Sequence, residues 1–139
     1  TEAPGTSELN HEKREGSFHC ANCGEKLFDS NAKYESGSGW PSFYQSLPDA
    51  FETKTDTLLG YERVEYHCKK CGGHHGHIFE DGPNPTGKRY CNNGVCLIFL
   101  SWFSQQSLLL FTFIIFVFFL LFSLFVCYSV ICFFSFSYI

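Results

Sequence analysis

Two short cysteine pairs constrain this chain more than any other feature: Cys20-Ala-Asn-Cys23-Gly24 and Cys68-Lys-Lys-Cys71-Gly72. Two thiolates two residues apart, with glycine following, can fold back and offer both sulfurs to one ion. Two such knuckles complete a tetrahedral four-cysteine site. A long stretch separates Cys23 from Cys68, so a shared ion would fasten the two halves of a domain together and become part of its folding free energy. The eight cysteines are an even number, which leaves a disulfide framework as the competing reading. The repeated spacing and the trailing glycines favour one structural zinc ion (Zn2+) on Cys20, Cys23, Cys68 and Cys71. A redox-active pair is a third reading, but there are two pairs and no βαβ pattern surrounds either. A closed site of four thiolates has no free coordination position, so any reaction chemistry has to sit elsewhere.

Charge divides the chain of 139 residues into two unlike polymers. Every Lys, Arg, Asp, Glu and His lies at or before Arg89, and only five of the 17 Phe (Phe18, Phe28, Phe43, Phe51 and Phe79) precede that point. The net charge of −4 gives no electrostatic case for a nucleic-acid partner. The absence of Met, even at position 1, reads as a processed N-terminus or a fragment. Thr1–Gly16 is polar and lacks the apolar core of a secretory signal. Residues 100–139 form a hydrophobic, low-complexity extension, in which Ser107–Ile139 exceeds the roughly 20 residues that cross a bilayer as a helix. A membrane anchor is one reading of it. The other is translated intron or out-of-frame sequence, because Phe, Leu, Ile, Val, Ser, Cys and Tyr are what uridine-rich codons produce.

The polar part reads as a mainly β domain over residues 1–99. Thr1–Gly16 is an exposed, loop-rich lead-in, and Ser17–Cys20 and Lys26–Phe28 are short strand pieces around the first knuckle. Gly37–Phe43 is turn-rich, with Pro41 disfavouring a helix. Leu47–Leu59, with its Pro, Asp and Thr, reads as loop. Glu62–Cys68 alternates as a strand, with Arg63, Glu65 and His67 on one face and Val64 and Tyr66 on the other. His77–Phe79 and Arg89–Cys91 are further strands, separated by the turn cluster Asp81–Gly87. Many short strands with Gly/Pro punctuation and no sustained helical period argue for this class.

Cys91 is the candidate reactive thiol. On a strand, Arg89, Cys91 and Asn93 share a face, and a neighbouring cation lowers a thiol's pKa. His74 and His77 lie just upstream, on either side of Gly76. A cysteine, two histidines, an arginine and an asparagine within a short span make a good set for thiol chemistry. The plainer reading takes Cys91 as a buried small apolar residue, the histidines as turn residues and Arg89 as a solvated charge. The residues alone leave that choice open.

The run from Gly76 to Asn93, the segments Gly39-Trp40-Pro41-Ser42-Phe43 and Thr1-Glu-Ala-Pro-Gly-Thr6, and both knuckles in order closely resemble the methionine sulfoxide reductase B family, over about Thr1–Gly94. The resemblance implies a small zinc-stabilised domain of antiparallel sheets. It implies reduction of methionine-R-sulfoxide, free or within proteins, to methionine. Cys91 takes the place of the nucleophile that attacks the sulfoxide sulfur and becomes a sulfenic acid. His74 and His77 match the family's proton donors or orienters, and Arg89 holds and polarises the site. On the same ground Trp40, Phe79, Asp81 and Asn93 match residues that receive or support the substrate, Trp40 as an aromatic wall for its methyl group.

Three departures stand out. Many family members carry a cysteine that resolves the sulfenic acid where this chain has Ser38, so regeneration falls to thioredoxin or glutathione, or to Cys96, Cys127 or Cys132. On a continued strand Cys96 would face away from Cys91. The family's helix before Thr1 is missing. From Val95 onward the chain leaves the family pattern, although Val95–Phe99 keeps the strand character needed for a closing strand. The expectations are therefore an active thiol-dependent reductase of a reducing intracellular compartment, an inactive zinc-binding module on the same scaffold, or a membrane-anchored reductase.

Overall fold

The computed structural model describes residues 1–102 and 110–119. The chain divides into two compact units, Thr1–Trp102 and Phe103–Ile139. The first contains nine strands: β1 (Gly16–Cys20), β2 (Lys26–Asp29), β3 (Lys33–Tyr34), β4 (Ser42–Phe43), β5 (Phe51–Asp56), β6 (Arg63–Cys68), β7 (His74–Phe79), β8 (Arg89–Asn92) and β9 (Leu97–Ser101). They form a three-stranded sheet in the order β2-β1-β9 and a six-stranded sheet in the order β3-β4-β8-β7-β6-β5. Every pairing is antiparallel. The mainly β reading of the sequence is thus the observed architecture.

Aromatic residues join the two sheets. Phe18 of β1 and Phe28 of β2 are fully buried against Phe43 of β4. Phe28 stacks on Phe43 at 4.1 Å between ring centroids, and Phe18 meets Phe43 edge-on at 4.9 Å. Tyr66 of β6 closes the other end of the core, edge-on to Phe51 at 4.7 Å. Such pairs add about 0.5–1.5 kcal/mol each beyond the area they bury. They hold β4 and β8, adjacent in the large sheet, over a rigid floor.

The strands depart from the sequence reading at several places: β4 lies in the segment read as turn-rich, β7 begins at His74 rather than His77, and two further departures have a plain physical reason. Phe51–Asp56 was expected as loop, yet it pairs with β6 along its whole length, from Phe51↔Cys68 to Asp56↔Arg63. It is the edge strand of the large sheet. An edge strand tolerates polar side chains because its outer flank is solvated. Thr53 and Thr55 suit the pleat, and Lys54 pairs with the facing Glu65 at 3.3 Å. The second departure follows β8. Its strand does not continue to Cys96; a short 3₁₀ turn at Gly94–Cys96 redirects the chain, and β9 then pairs with all of β1. The divergent segment after Val95 therefore supplies a closing strand, which runs past Phe99 to Ser101.

The membrane-anchor and mistranslation readings fall largely outside the described residues. Residues 110–119 are helical and exposed, and no helix among the described residues is long and apolar enough to cross a membrane.

Candidate active site and the four-cysteine cluster

The knuckles sit where a strand end meets a tight turn. In each, the amide of the trailing glycine donates to the carbonyl of the first cysteine, Gly24 to Cys20 at 2.8 Å and Gly72 to Cys68 at 2.7 Å. Both glycines take positive φ, 73° and 71°, a conformation that costs other residues steric energy. The turns aim four sulfurs at one point. Cys20 Sγ lies 3.7 Å from Cys71 Sγ, and Cys23 Sγ lies 3.6 Å from Cys68 Sγ, with all four within 4.8 Å of one another. A sulfur–sulfur bond is about 2.05 Å long, so these are not disulfides. Metal–sulfur bonds of about 2.3 Å in a tetrahedron set sulfurs about 3.8 Å apart. The spacing therefore fits a four-thiolate metal ion. Burial pushes the Cys20 thiol up and carries Cys68 up to about 12, whereas the Asn22 side chain and the Gly73 amide hold Cys71 down at about 6.

Cys91 lies at the centre of the large sheet. β8 runs between β4 and β7, pairing Cys91 with Ser42 on one side and His77 on the other. Gly76 is what lets β7 come so close: a Cβ there would overlap the carbonyl oxygen of Cys91. The thiol opens into a cavity of about 120 Å³ lined by Trp40, Arg63, His77, Phe79 and Asn93 among others. Of the residues expected at the site, Cys91, His77, Trp40, Phe79 and Asn93 meet in this cavity.

The remaining three stand behind its wall. Arg89 makes two 2.8 Å hydrogen bonds to the two oxygens of Asp81, and its guanidinium lies over the Phe79 ring at 4.3 Å. His74 points away toward Glu65, its Nδ1 2.6 Å from Glu65 Oε1, while its ring centroid is 5.9 Å from that of His77. Burial lowers the His74 pKa, against the pull of the Glu65 carboxylate.

Cys91 itself departs from the sequence argument. Arg89 and the Ser38 hydroxyl do favour its thiolate, but burial outweighs them and the thiol is pushed up. Ser38 Oγ is 4.0 Å from Cys91 Sγ, so the position of the missing resolving cysteine does abut the thiol. It belongs to a hydroxyl cluster in which Ser36 Oγ reaches Ser38 at 2.8 Å and Ser42 at 2.7 Å. Cys96 instead lines a separate cavity with Cys20, Asn22 and His74.

Several site residues escaped the sequence reading. Asp56 Oδ2 accepts from His77 Nε2 at 2.8 Å and from Arg63 at 2.5 Å, while Oδ1 accepts from the Leu58 amide at 2.9 Å. The Leu58 amide first, then His77, with Arg63 assisting, hold this carboxyl down at about 2. The only available signal was the alternation that put Arg63 on one face of its strand; Asp56 lay in a segment read as loop. Glu2 was missed as well. Its amide donates to Asn93 Oδ1 at 3.2 Å, its carboxylate accepts from Gly94 at 2.5 Å, and its carbonyl accepts from Trp40 Nε1 at 3.1 Å. The N-terminal segment thereby holds both Trp40 and Asn93 in place.

A half-buried thiol beside an imidazole, an indole and an arginine, on a β domain that carries a four-cysteine cluster, defines an oxidoreductase scaffold, and residues 1–101 match the SelR domain. The chain belongs to the SelR-domain family, that of the peptide methionine sulfoxide reductases MsrB. It is 53% identical over 100 residues to the peptide methionine sulfoxide reductase MsrB of Pseudomonas putida, covering 71% of this chain and 75% of that protein. It is 51% identical over 100 residues to that of Methanosarcina barkeri, covering 71% and 70%. It is 53% identical over 100 residues to that of Leptospira interrogans, covering 71% and 76%.

Proposed function

We propose that this chain reduces methionine-R-sulfoxide, free or in proteins, with Cys91 as the nucleophile. The observation that carries this reading is the meeting of Cys91, His77 and Trp40 in one small cavity, within a chain of this family. Trp40 and Phe79 offer aromatic walls to the substrate's methyl group. The Cys91 thiolate attacks the sulfoxide sulfur while the sulfoxide oxygen takes up one proton; the hydroxyl then passes to the Cys91 sulfur as the new S–S bond breaks and the thioether leaves. The net step turns a thiol and a sulfoxide into a sulfenic acid and a thioether. His77, which lines the same cavity, supplies the proton, and Asp56, hydrogen-bonded to its Nε2, orients the ring. His74 acts through His77, at ring distance. Arg89, held by Asp81, favours the thiolate against burial, and Asn93 shapes the cavity floor.

Ser38 cannot form a disulfide, so the sulfenic acid waits for an external thiol. Two equivalents of a thioredoxin- or glutathione-type thiol return Cys91 to its reduced form and release water. Cys20, Cys23, Cys68 and Cys71 would hold a zinc ion, which when bound would cross-link the two knuckles with no coordination position left for the reaction.

The direct test is turnover of methionine-R-sulfoxide with dithiothreitol. The wild-type chain is expected to turn over, and Cys91→Ser to lose all measurable activity while keeping its metal content and melting temperature. Equal rates in the two proteins would refute the assignment.

A further inference from the structure

A second cluster of metal-ligating side chains lies outside the four cysteines. Strands β6 and β7 pair with His67 directly opposite His74. Glu65 precedes His67 by two residues on β6 and so shares its face. The three ligand atoms converge: Glu65 Oε1 is 3.1 Å from His67 Nε2 and 2.6 Å from His74 Nδ1, and all lie within 4.8 Å of one another. Bonds of about 2.1 Å to an octahedral ion place neighbouring ligands about 3.0 Å apart. The two spacings to Glu65, 3.1 and 2.6 Å, are close to that.

We propose that Glu65, His67 and His74 form a second, exchangeable site for a divalent transition metal. The donor set of two imidazoles and one carboxylate suits Zn2+, Co2+, Ni2+ or Cu2+ and leaves positions open to water. Three observations favour a metal over a plain ion-pair cluster. His74 Nδ1 is buried and its 2.6 Å approach to Glu65 Oε1 is poorly aligned for a hydrogen bond, although the Glu65 carboxylate still favours the charged imidazole, so the contact is electrostatic more than directional. Both imidazoles crowd the same carboxylate oxygen, and a cation at their centre would relieve that crowding. The side chains of His67 and Glu65 are only 17% and 16% exposed, so little side-chain freedom remains to be lost on binding. One cation competes: Lys54 Nζ lies 3.3 Å from the other oxygen of Glu65, but that side chain is 63% exposed and can swing into solvent.

The site would be regulatory because of where it lies. His74 is also the residue next to His77, with ring centroids 5.9 Å apart. An ion on His74 Nδ1 places positive charge beside His77 and withdraws His74 from proton handling, so occupancy inhibits turnover. This consequence rests on the catalytic reading above; the binding does not.

The test uses the tag-free chain with its four-cysteine site filled with zinc, titrated with Co2+. One equivalent beyond the zinc is expected to bind, with ligand-field bands of an oxygen/nitrogen site and none of the thiolate charge-transfer absorption that cobalt in the knuckles would give. His67→Ala, with zinc content and circular dichroism retained, is expected to weaken that binding about tenfold or more. His67→Gln serves if the alanine variant fails to fold, and His11→Ala leaves binding unchanged. Absence of a second ion, thiolate absorption from it, or undiminished affinity in the His67 variants overturns the proposal. Binding without inhibition removes His74 from the catalytic set and leaves the metal site standing.

Discussion

The cysteines of the knuckles and Cys91 are the same residue in opposite circumstances. Cys20 and Cys68 are buried among other sulfurs, and their thiols are pushed up, Cys68 to about 12. Backbone amides at each knuckle favour the thiolates, but burial outweighs them, and a shared cation would reverse that balance. Cys91 is also pushed up by burial, but its neighbours are a guanidinium, a serine hydroxyl and an open cavity. In the first region four thiols face one another at a spacing that would hold an ion. In the second a single thiol faces space that a substrate can enter. Reactivity here depends on what a sulfur faces, since burial is common to both.

The largest test of this contrast is Cys68→Ser. If the knuckles are a fold-level clamp, losing one ligand releases the metal and abolishes the cooperative unfolding transition, because metal binding is folding free energy in such sites, on the order of 10 kcal/mol. Differential scanning calorimetry alongside metal analysis checks it; a normal melt without metal would erase the distinction. Arg89→Gln comes next. In the proposed reaction Cys91 attacks as thiolate, so the rate should rise with pH through its raised pKa, and loss of the Arg89 cation should raise that pKa further. The rising limb of the pH–rate profile is expected to move to higher pH, with about a tenfold loss near pH 7. A profile that only scales down, with no shift, would make Arg89 a packing residue.

Ser38→Cys sharpens the comparison from the other side, by giving Cys91 a sulfur neighbour. With Ser38 Oγ at 4.0 Å from Cys91 Sγ, the introduced thiol is expected to form a disulfide with Cys91 after one turnover without reductant, seen as the loss of two free thiols by mass spectrometry. Stability before turnover changes little. The smallest effect is expected from Asp56→Asn. Asp56 has its carboxyl held at about 2 by the Leu58 amide and His77, below its unfolded value near 3.9. A depressed carboxyl contributes stability above the unfolded pKa and loses it as pH falls toward the folded one. The wild-type chain should therefore lose stability between about pH 4 and pH 2 more steeply than the variant, as read from urea midpoints across that range.

The cysteine knuckles and the strand character of β6 and β8 were legible in the sequence because both depend on short-range spacing: two residues between thiols, and alternation along a strand. Phe51–Asp56 was not, because its strand identity comes from pairing with β6 and its exposed face obscures the alternation. Asp56 went unseen for the same reason, although it lies within hydrogen-bonding reach of His77. Glu2 contacts residues more than ninety positions away, a relation that no local pattern carries. The raised Cys91 thiol also required the structure, since Arg89 is visible in the sequence and the burial that opposes it is not.

By itself the sequence determined the β class, the four cysteines and the thiol to watch, because spacing and residue chemistry are local properties. Tertiary structure decided which of the candidate residues meet. It brought Trp40, His77, Phe79 and Asn93 to Cys91, set Arg89 and Asp81 behind them, and turned His74 toward Glu65 and His67. The physical reason is that strand register and the close approach at Gly76 fix which side chains share a cavity, and register is a relation between distant segments.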